Sequence, residues 1–294
     1  MITDVEAATP ALCRLQLANE LRQLRLASGL KGAQVVTKMR WSPSKLTRLE
    51  TGENSEVHPE DVAALCEIYR AEPETRARLI AYATVTKTRR DWWLSPEYRP
   101  VIGPGFKAFL DLEASASALQ NYESEFVPGL LQTGAYVRII HQRAHQGLPA
   151  EDIDRLVALR TTRQDVLSRP ESPLKYTAIL NEAVLRRQVG SSALMRDQLT
   201  HIVEVVESRP NVRVQVVPFR LGAHAGMNGS FVVLQFPDQV ALKPMVYMEN
   251  LTEALVRRGD KDVERYSDAF TDLQALAPGP QESLSLIKEA IKEQ

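Results

Sequence analysis

Cysteine is scarce in this chain: of 294 residues only Cys13 and Cys66 carry a thiol, and no knuckle spacing involves them. A cysteine-based metal site is therefore not expected, and both thiols, lying in amphipathic helical stretches, read as a reduced buried pair. Long apolar runs are missing too. The stretch Val214–Phe219, already broken by Gln215, falls far short of the roughly 20 residues that a membrane-spanning helix needs. The opening Met1-Ile2-Thr3-Asp4-Val5-Glu6 is acidic and no apolar region follows it, so a secretory signal is not expected and cytoplasmic residence is. No Gly-rich phosphate loop, Gly-x-Ser-x-Gly elbow or His-x-Lys pair is present, which leaves little support for an enzyme. Internal repeats and low-complexity tracts are also lacking. With a formal net charge of -1, the chain is no wholesale nucleic-acid coat protein.

What is there is ordinary globular composition, 44% hydrophobic and 25% charged, with a local concentration of positive charge. From Leu12 to Glu50, eight basic residues (Arg14, Arg22, Arg25, Lys31, Lys38, Arg40, Lys45, Arg48) face two acidic ones, Glu20 and Glu50. Such a segment has the footprint expected of a phosphate-binding surface.

The first eleven residues show no periodicity and read as a loose arm. Leu17, Leu21 and Leu24 then form a helical stripe that Ser28-Gly29 stops. A short helix is predicted over Gly32–Met39, with Val35, Val36 and Met39 on one face. The next begins at Ser42-Pro43, where Ser42 is placed to cap the free amides and Pro43 suits the first helical position; it buries Leu46 and Leu49 and ends at Thr51-Gly52. Further helices are expected at Pro59–Tyr69 and Glu72–Thr86. These elements make residues 1–88 an all-α domain. A junction at 89–105 holds Arg89-Arg90, Trp92-Trp93 and Pro96, Pro100 and Pro104, the tryptophans being better explained by docking on a domain than by stacking on bases.

Residues 106–294 read as an α+β domain with a mostly antiparallel sheet. Its helices are predicted at Phe106–Gln120, Thr133–Gln146, Glu151–Arg169, Ser191–Glu207, Lys261–Ala277 and Gln281–Lys292. Its strands are predicted at Tyr176–Leu180, Val212–Val217, Phe231–Phe236 and Met245–Met248, with one more within Leu251–Arg257.

Two short helices joined by a tight turn, Gly32 to Thr51, have the shape that lets a second helix enter the major groove while the first crosses the backbone. Ser44, Thr47 and Arg48 lie opposite the buried leucines and are the candidates for base-edge contact, Arg48 by a bidentate bond to guanine. Lys45 and Gln34 are assigned to phosphates, and Ser42 is divided between capping and a phosphate contact.

The run Leu21-Arg22-Gln23-Leu24-Arg25, Ser28-Gly29-Leu30 and Ser42-Pro43-Ser44-Lys45-Leu46-Thr47-Arg48-Leu49-Glu50-Thr51-Gly52 resembles the lambda-repressor-like (Xre/Cro) helix-turn-helix. The resemblance implies that Glu50 pairs internally rather than touching DNA. Two positions depart from it: Lys31 stands where a capping Ser or Thr is usual, and Arg40 where the turn usually has Gly, at a cost of about 1 kcal/mol if its φ is positive. Further on, Asn121-Tyr122-Glu123-Ser124-Glu125-Phe126-Val127-Pro128-Gly129-Leu130-Leu131-Gln132-Thr133 is similar to the opening of a domain of unknown function found in actinobacterial, WhiJ-like regulators. Leu180–Arg187, Arg209–Val212 and Pro218–Gly226 agree with it. Together the two resemblances run from Leu12 to Ile287 and imply a transcriptional regulator, often encoded beside a small partner protein.

His141 and His145 have i, i+4 spacing, but no third ligand is evident and no metal or cofactor is expected. His224 lies in a Gly-rich loop between strands, where ligand sites are commonly built, with Glu182, Arg186 and Arg187 as possible polar neighbours. The leading expectation is a nucleoid-associated transcription factor that binds a double-stranded operator as a homodimer and whose second domain receives a small molecule or a small protein. The competing readings make that domain an enzyme targeted to DNA, or a module that sequesters a partner.

Overall fold

In a computed structural model, which describes residues 9–52, 57–170, 172–237 and 242–294, the chain divides into two compact units. The first comprises the chain up to Ser95, Lys107–Ser115 and the described part of Phe236–Lys243; the second comprises Pro96–Phe106, Ala116–Gln235 and Pro244–Gln294.

The first unit is helical: α1 (Pro10–Ala27), α2 (Gly32–Met39), α3 (Pro43–Thr51), α4 (Pro59–Tyr69), α5 (Pro73–Thr88) and, from Lys107 on, α6 (Pro104–Ser115). The loose arm expected over residues 1–11 is corrected at its end, the first eight residues lying outside the described ones. Helix α1 already starts at Pro10, because Thr9 Oγ1 accepts the Leu12 N–H at 3.2 Å and Pro10 occupies a position that lacks a helical donor partner anyway. Cys13, Leu17 and Leu21 on α1 join Val35, Leu46, Leu49, Val62, Leu65, Cys66, Leu79 and Tyr82 in one core. Both cysteines are free and buried, and burial pushes the Cys13 thiol up to about 12.

A buried charge cluster ties the beginning of this unit to its later pieces. Arg14, 2% exposed, bonds Asp91 and Asp111, each at 2.9 Å, and Trp93 donates its indole N–H to Asp111 at 3.0 Å. A guanidinium taken out of water needs partners on several of its N–H groups, and here two carboxylates supply them. Trp93 itself is buried, as expected of a junction aromatic that docks.

The second unit carries β1 (Ala118–Glu123), α7 (Gly134–Ala144), α8 (Ala150–Arg163), β2 (Lys175–Asn181), α9 (Glu182–Arg186), α10 (Ser192–Ser208), β3 (Val212–Val217), β4 (Phe231–Gln235), β5 (Met245–Glu249), β6 (Ala254–Arg257), α11 (Asp260–Leu276) and α12 (Pro280–Glu293). The class is α+β, but the mostly antiparallel sheet is corrected to a mixed one. In the order β3-β2-β1-β4-β5-β6, the first three strands run parallel to one another and the remaining pairings are antiparallel.

The correction comes from β2, which runs parallel to β3 and to β1, and β1 itself begins within the last residues of the stretch expected to be helical, Phe106–Gln120. Its polar Gln120, Asn121 and Glu123 hide a strand between two others, and the cost of burying Asn121 is offset by the Tyr176 hydroxyl, which bonds Asn121 Oδ1 at 3.1 Å. Parallel pairs need long crossovers, which α7 with α8 and α9 with α10 provide. Helix α11 covers one face of the sheet, where Tyr122, Ile179, Val217, Phe231 and Val233 meet Phe270 and Leu273.

The Val127–Thr133 run is the hinge between β1 and α7, and its residues satisfy each other. Val127 N–H donates to the Tyr136 hydroxyl, Gln132 donates to the Val127 carbonyl at 2.7 Å, and Thr133 caps α7 through the Tyr136 N–H. A Cβ at Gly129 would lie 2.6 Å from the Arg163 guanidinium, which would have to shift to admit it.

Candidate nucleic-acid interface and ligand pocket

Helix α3 owes its start to Ser42, whose Oγ accepts the Lys45 N–H at 3.3 Å, and its end to Gly52 at φ +77°. Leu46 and Leu49 point into the core and fix its rotation, so Ser42, Ser44, Thr47 and Arg48 are all exposed on the other side. Their hydroxyls are partly engaged: Ser42 and Ser44 lie 3.0 Å apart through their oxygens, and Thr47 donates to the Pro43 carbonyl at 3.1 Å. Arg48 makes no ion pair among the described residues, leaving its five N–H donors outward.

The other assigned residues are more constrained. Gln34 Oε1 accepts the Lys31 N–H at 2.8 Å, closing the N-terminus of α2 where Lys31 offers no acceptor of its own; the Gln34 side-chain NH2 stays available. Lys45 is held back from the exposed face, bonded to Asp61 at 2.7 Å with its ammonium 4.0 Å from the centre of the Trp41 ring. Glu50 pairs with Arg25 through two bonds of 2.6 and 2.8 Å and is turned inward.

Of the eight cations counted in this segment, Arg14, Arg25 and Lys45 thus already have carboxylate partners. Arg22, Lys31, Lys38, Arg40 and Arg48 are exposed and carry no ion pair among the described residues. Lys31 at the α2 N-terminus and Arg40 in the turn stand out in the sequence as charge and as departures from the helix-turn-helix pattern, but nothing local separates a free cation from a paired one. Arg40 does take the left-handed conformation, φ 53° and ψ 40°.

In the second unit a cavity of about 350 Å3 opens at the carboxyl ends of β1, β2 and β3, lined by Tyr122, Asn181, Phe219, His224, Gly226 and Met227 among others. His224 falls where the sequence placed it. Its Nδ1 accepts the Gly226 N–H at 3.2 Å and its Nε2 stands 3.4 Å from the Asn181 side-chain nitrogen. The other three candidates sit behind the wall. Glu182 accepts the Phe219 N–H at 2.8 Å, Arg186 pairs with Glu182 and Glu293, and Arg187 pairs with Glu125, which does line the cavity.

Tyr122 and Asn181 were missed. Both lie in runs that carry the resemblance to the domain of unknown function, but nothing local gives either a pocket role; Asn181 caps α9, accepting the Ala183 N–H at 2.9 Å. The Tyr122 hydroxyl is fully buried and lacks a hydrogen-bond partner. Burial raises its pKa, and the Asn181 amide is near enough to ease that shift while remaining outside hydrogen-bonding geometry.

Elsewhere in this unit the rings of His141 and His145 stack 5.6 Å apart, and a wider apolar groove of about 790 Å3 runs beside Phe126, Ile139 and Val189. Among the described residues no three metal-ligating side chains gather, and no helix is long and apolar enough to cross a membrane.

Residues 16–79 match the model of a helix-turn-helix domain, and residues 106–289 match that of a domain of unknown function, DUF5753. No curated protein and no solved structure matches the chain.

Proposed function

Because the chain belongs to the DUF5753 family and carries a helix-turn-helix ahead of that domain, we propose that it is a sequence-specific transcriptional regulator of the Xre/Cro type, related to the WhiJ-like regulators of actinobacteria. Helix α3 enters the major groove and α2 crosses the phosphate backbone. The observation that carries this reading is the outer face of α3, where Arg48, with no ion pair among the described residues, stands beside three short hydroxyl side chains on a helix whose rotation is fixed by buried Leu46 and Leu49. Arg48 reads a guanine edge; Ser44 and Thr47 contact neighbouring bases; Ser42 and the Gln34 amide hold phosphates.

The phosphate charge falls on Lys31, Lys38 and Arg40 more than on Lys45, because Asp61 already neutralises that ammonium. A helix this short reads few base pairs, so two chains bind paired half-sites. The second domain acts as a receiver of a small molecule or a small protein rather than as a catalyst, and the protein works in the cytoplasm on the nucleoid.

Capture of bound genomic fragments identifies the operator, and salt-dependent binding to it checks the roles. Arg48→Ala is expected to cost about 1–3 kcal/mol on the operator and to relax base preference at one position. Lys31→Ala weakens operator and unrelated duplex alike and lowers the salt slope by about one, while Lys45→Ala changes that slope less. Parent-like binding by the Arg48 and Lys31 variants would remove α3 as the reading helix.

A further inference from the structure

We propose that the outer edge of β6 is the surface by which two copies of this chain join, each strand pairing antiparallel with its counterpart about a two-fold axis at Leu255. This deepens the reading of two chains on paired half-sites and rests on it for its purpose, because it names the surface that holds them together.

Strand β6 ends the sheet. It pairs with β5 on one side, and on the other its backbone bonds no described residue. Such an edge offers a row of donors and acceptors to any strand that can reach it. Which groups point outward follows from the hairpin between β5 and β6. The Asn250 N–H donates to the Glu253 carbonyl at 2.9 Å, so these two residues face each other; the alternation of an antiparallel ladder then turns the backbone groups of Leu255 and Arg257 toward β5. Ala254 and Val256 are left with their N–H and C=O groups aimed away from the sheet.

The two faces beside this edge are already occupied. Met248, opposite Leu255 in the ladder, packs on the core under α11. On the other face Gly105, at the start of α6, comes so near that a Cβ there would lie 2.5 Å from the Ala254 Cβ. A partner therefore joins β6 from the side, as a strand.

The side chains choose that strand. Glu253 and Arg257 bracket the edge, both exposed and neither in an ion pair among the described residues. A two-fold axis perpendicular to the sheet keeps every residue on its own face, so each meets either itself or a residue an even number of positions away. Centred on Leu255, the pairing sets Glu253 of each chain against Arg257 of the other, once on either side of the axis. Centred on Ala254 or Val256, it loses both pairs and puts an apolar residue or Gly259 opposite each charge. The Leu255 register also lets Ala254 and Val256 exchange backbone bonds across the axis. Glu253 and Arg257 then fall in pairs that exchange no backbone bonds, the kind whose side chains lie closer. A wholly acidic or wholly basic segment would satisfy one end and repel the other; a second copy satisfies both.

One short strand buries little area, so the contact is of the weak class and is strengthened when a duplex carries both chains. Disulfide trapping reads such a contact directly. In the full chain Cys13 and Cys66 are buried, so a thiol introduced by Leu255→Cys reports its own position when diamide is added. The two thiols would face each other across the axis, in the pair whose Cα atoms lie about 4.5 Å apart, and a covalent dimer is expected. Leu251→Cys is the control: it is the more exposed site, yet its two copies would stand about 26 Å apart. Glu253→Arg or Arg257→Glu, each added to Leu255→Cys, should slow trapping at least about tenfold, and mixing the two variants should restore it, since the mixed pair again sets opposite charges together.

No trapping at 255, equally fast trapping at 251, or no recovery on mixing overturns the proposal. Operator binding in the same samples keeps the two readings apart. Two chains on one duplex without trapping at 255 sinks this edge and leaves the regulator standing; trapping that recovers on mixing, in a protein with no preference among duplexes, supports the edge and sinks the regulator.

Discussion

His141 shows how one side chain couples burial to pH. It is 9% exposed on α7, its Nδ1 has no hydrogen-bond partner, and burial, with Arg160 and His145 adding positive charge nearby, pushes its pKa from the ordinary 6.5 to about 4. Since the folded pKa lies below the unfolded one, the associated stability is present above pH 6.5 and is lost as pH falls toward 4. Between pH 7.5 and 5 the loss amounts to about 2 kcal/mol. Urea unfolding of the parent and of His141→Phe at the two pH values checks this: the variant should lose less stability on acidification, and an equal loss in both proteins rules the histidine out. The same residue scale separates Arg48 from Lys45. Both are cations on one short helix, yet a single neighbour, Asp61, sets how much of each is offered to a polyanion.

At the scale of the element, the helix-turn-helix is a set of local bargains between backbone and side chain. Ser42 caps α3 and Gly52 ends it in the left-handed conformation that glycine adopts without a Cβ penalty. The turn between α2 and α3 asks the same of Arg40, which has a Cβ. Arg40→Gly is therefore expected to stabilise the isolated event of turn formation by about 1 kcal/mol. It should also weaken duplex binding of every sequence by removing an exposed cation. Thermal denaturation and salt-dependent DNA binding, read together, check the opposed effects. A variant that is less stable than the parent would mean that the guanidinium has a structural role instead. Strand β1 gives the contrary lesson, because its two neighbours in the sheet, not its own composition, make it a strand.

For the whole molecule the open quantity is how many chains sit on one operator. Two half-sites centred about 10–10.5 base pairs apart, or a multiple of that, are expected if two reading helices face one side of the duplex. Sedimentation of the complex should give two chains per duplex, and changing the spacing by half a helical turn should abolish tight binding. One chain per duplex, or indifference to spacing, would count against the paired arrangement.

The helix-turn-helix was legible because each of its signals is local: Ser42-Pro43 starts a helix, Gly52 stops it, and Leu46 and Leu49 choose the inward face. Most of the later elements were legible for the same reason; β3 spans Val212–Val217 in sequence expectation and structure alike. Three things needed the tertiary structure. Strand β1 carries polar residues whose burial is tolerated only because partners such as Tyr176 arrive from sequence-distant strands. The sheet is mixed because β1, β2 and β3 run parallel while β4, β5 and β6 pair antiparallel, a choice of strand direction made by the crossovers. The cavity, finally, is defined by Tyr122, Asn181 and His224, which are far apart along the chain and adjacent only where parallel strands end together. Periodicity and caps act over a few residues, so the sequence states them outright; pairing of charges and of buried polar groups acts through space, so folding alone decides it.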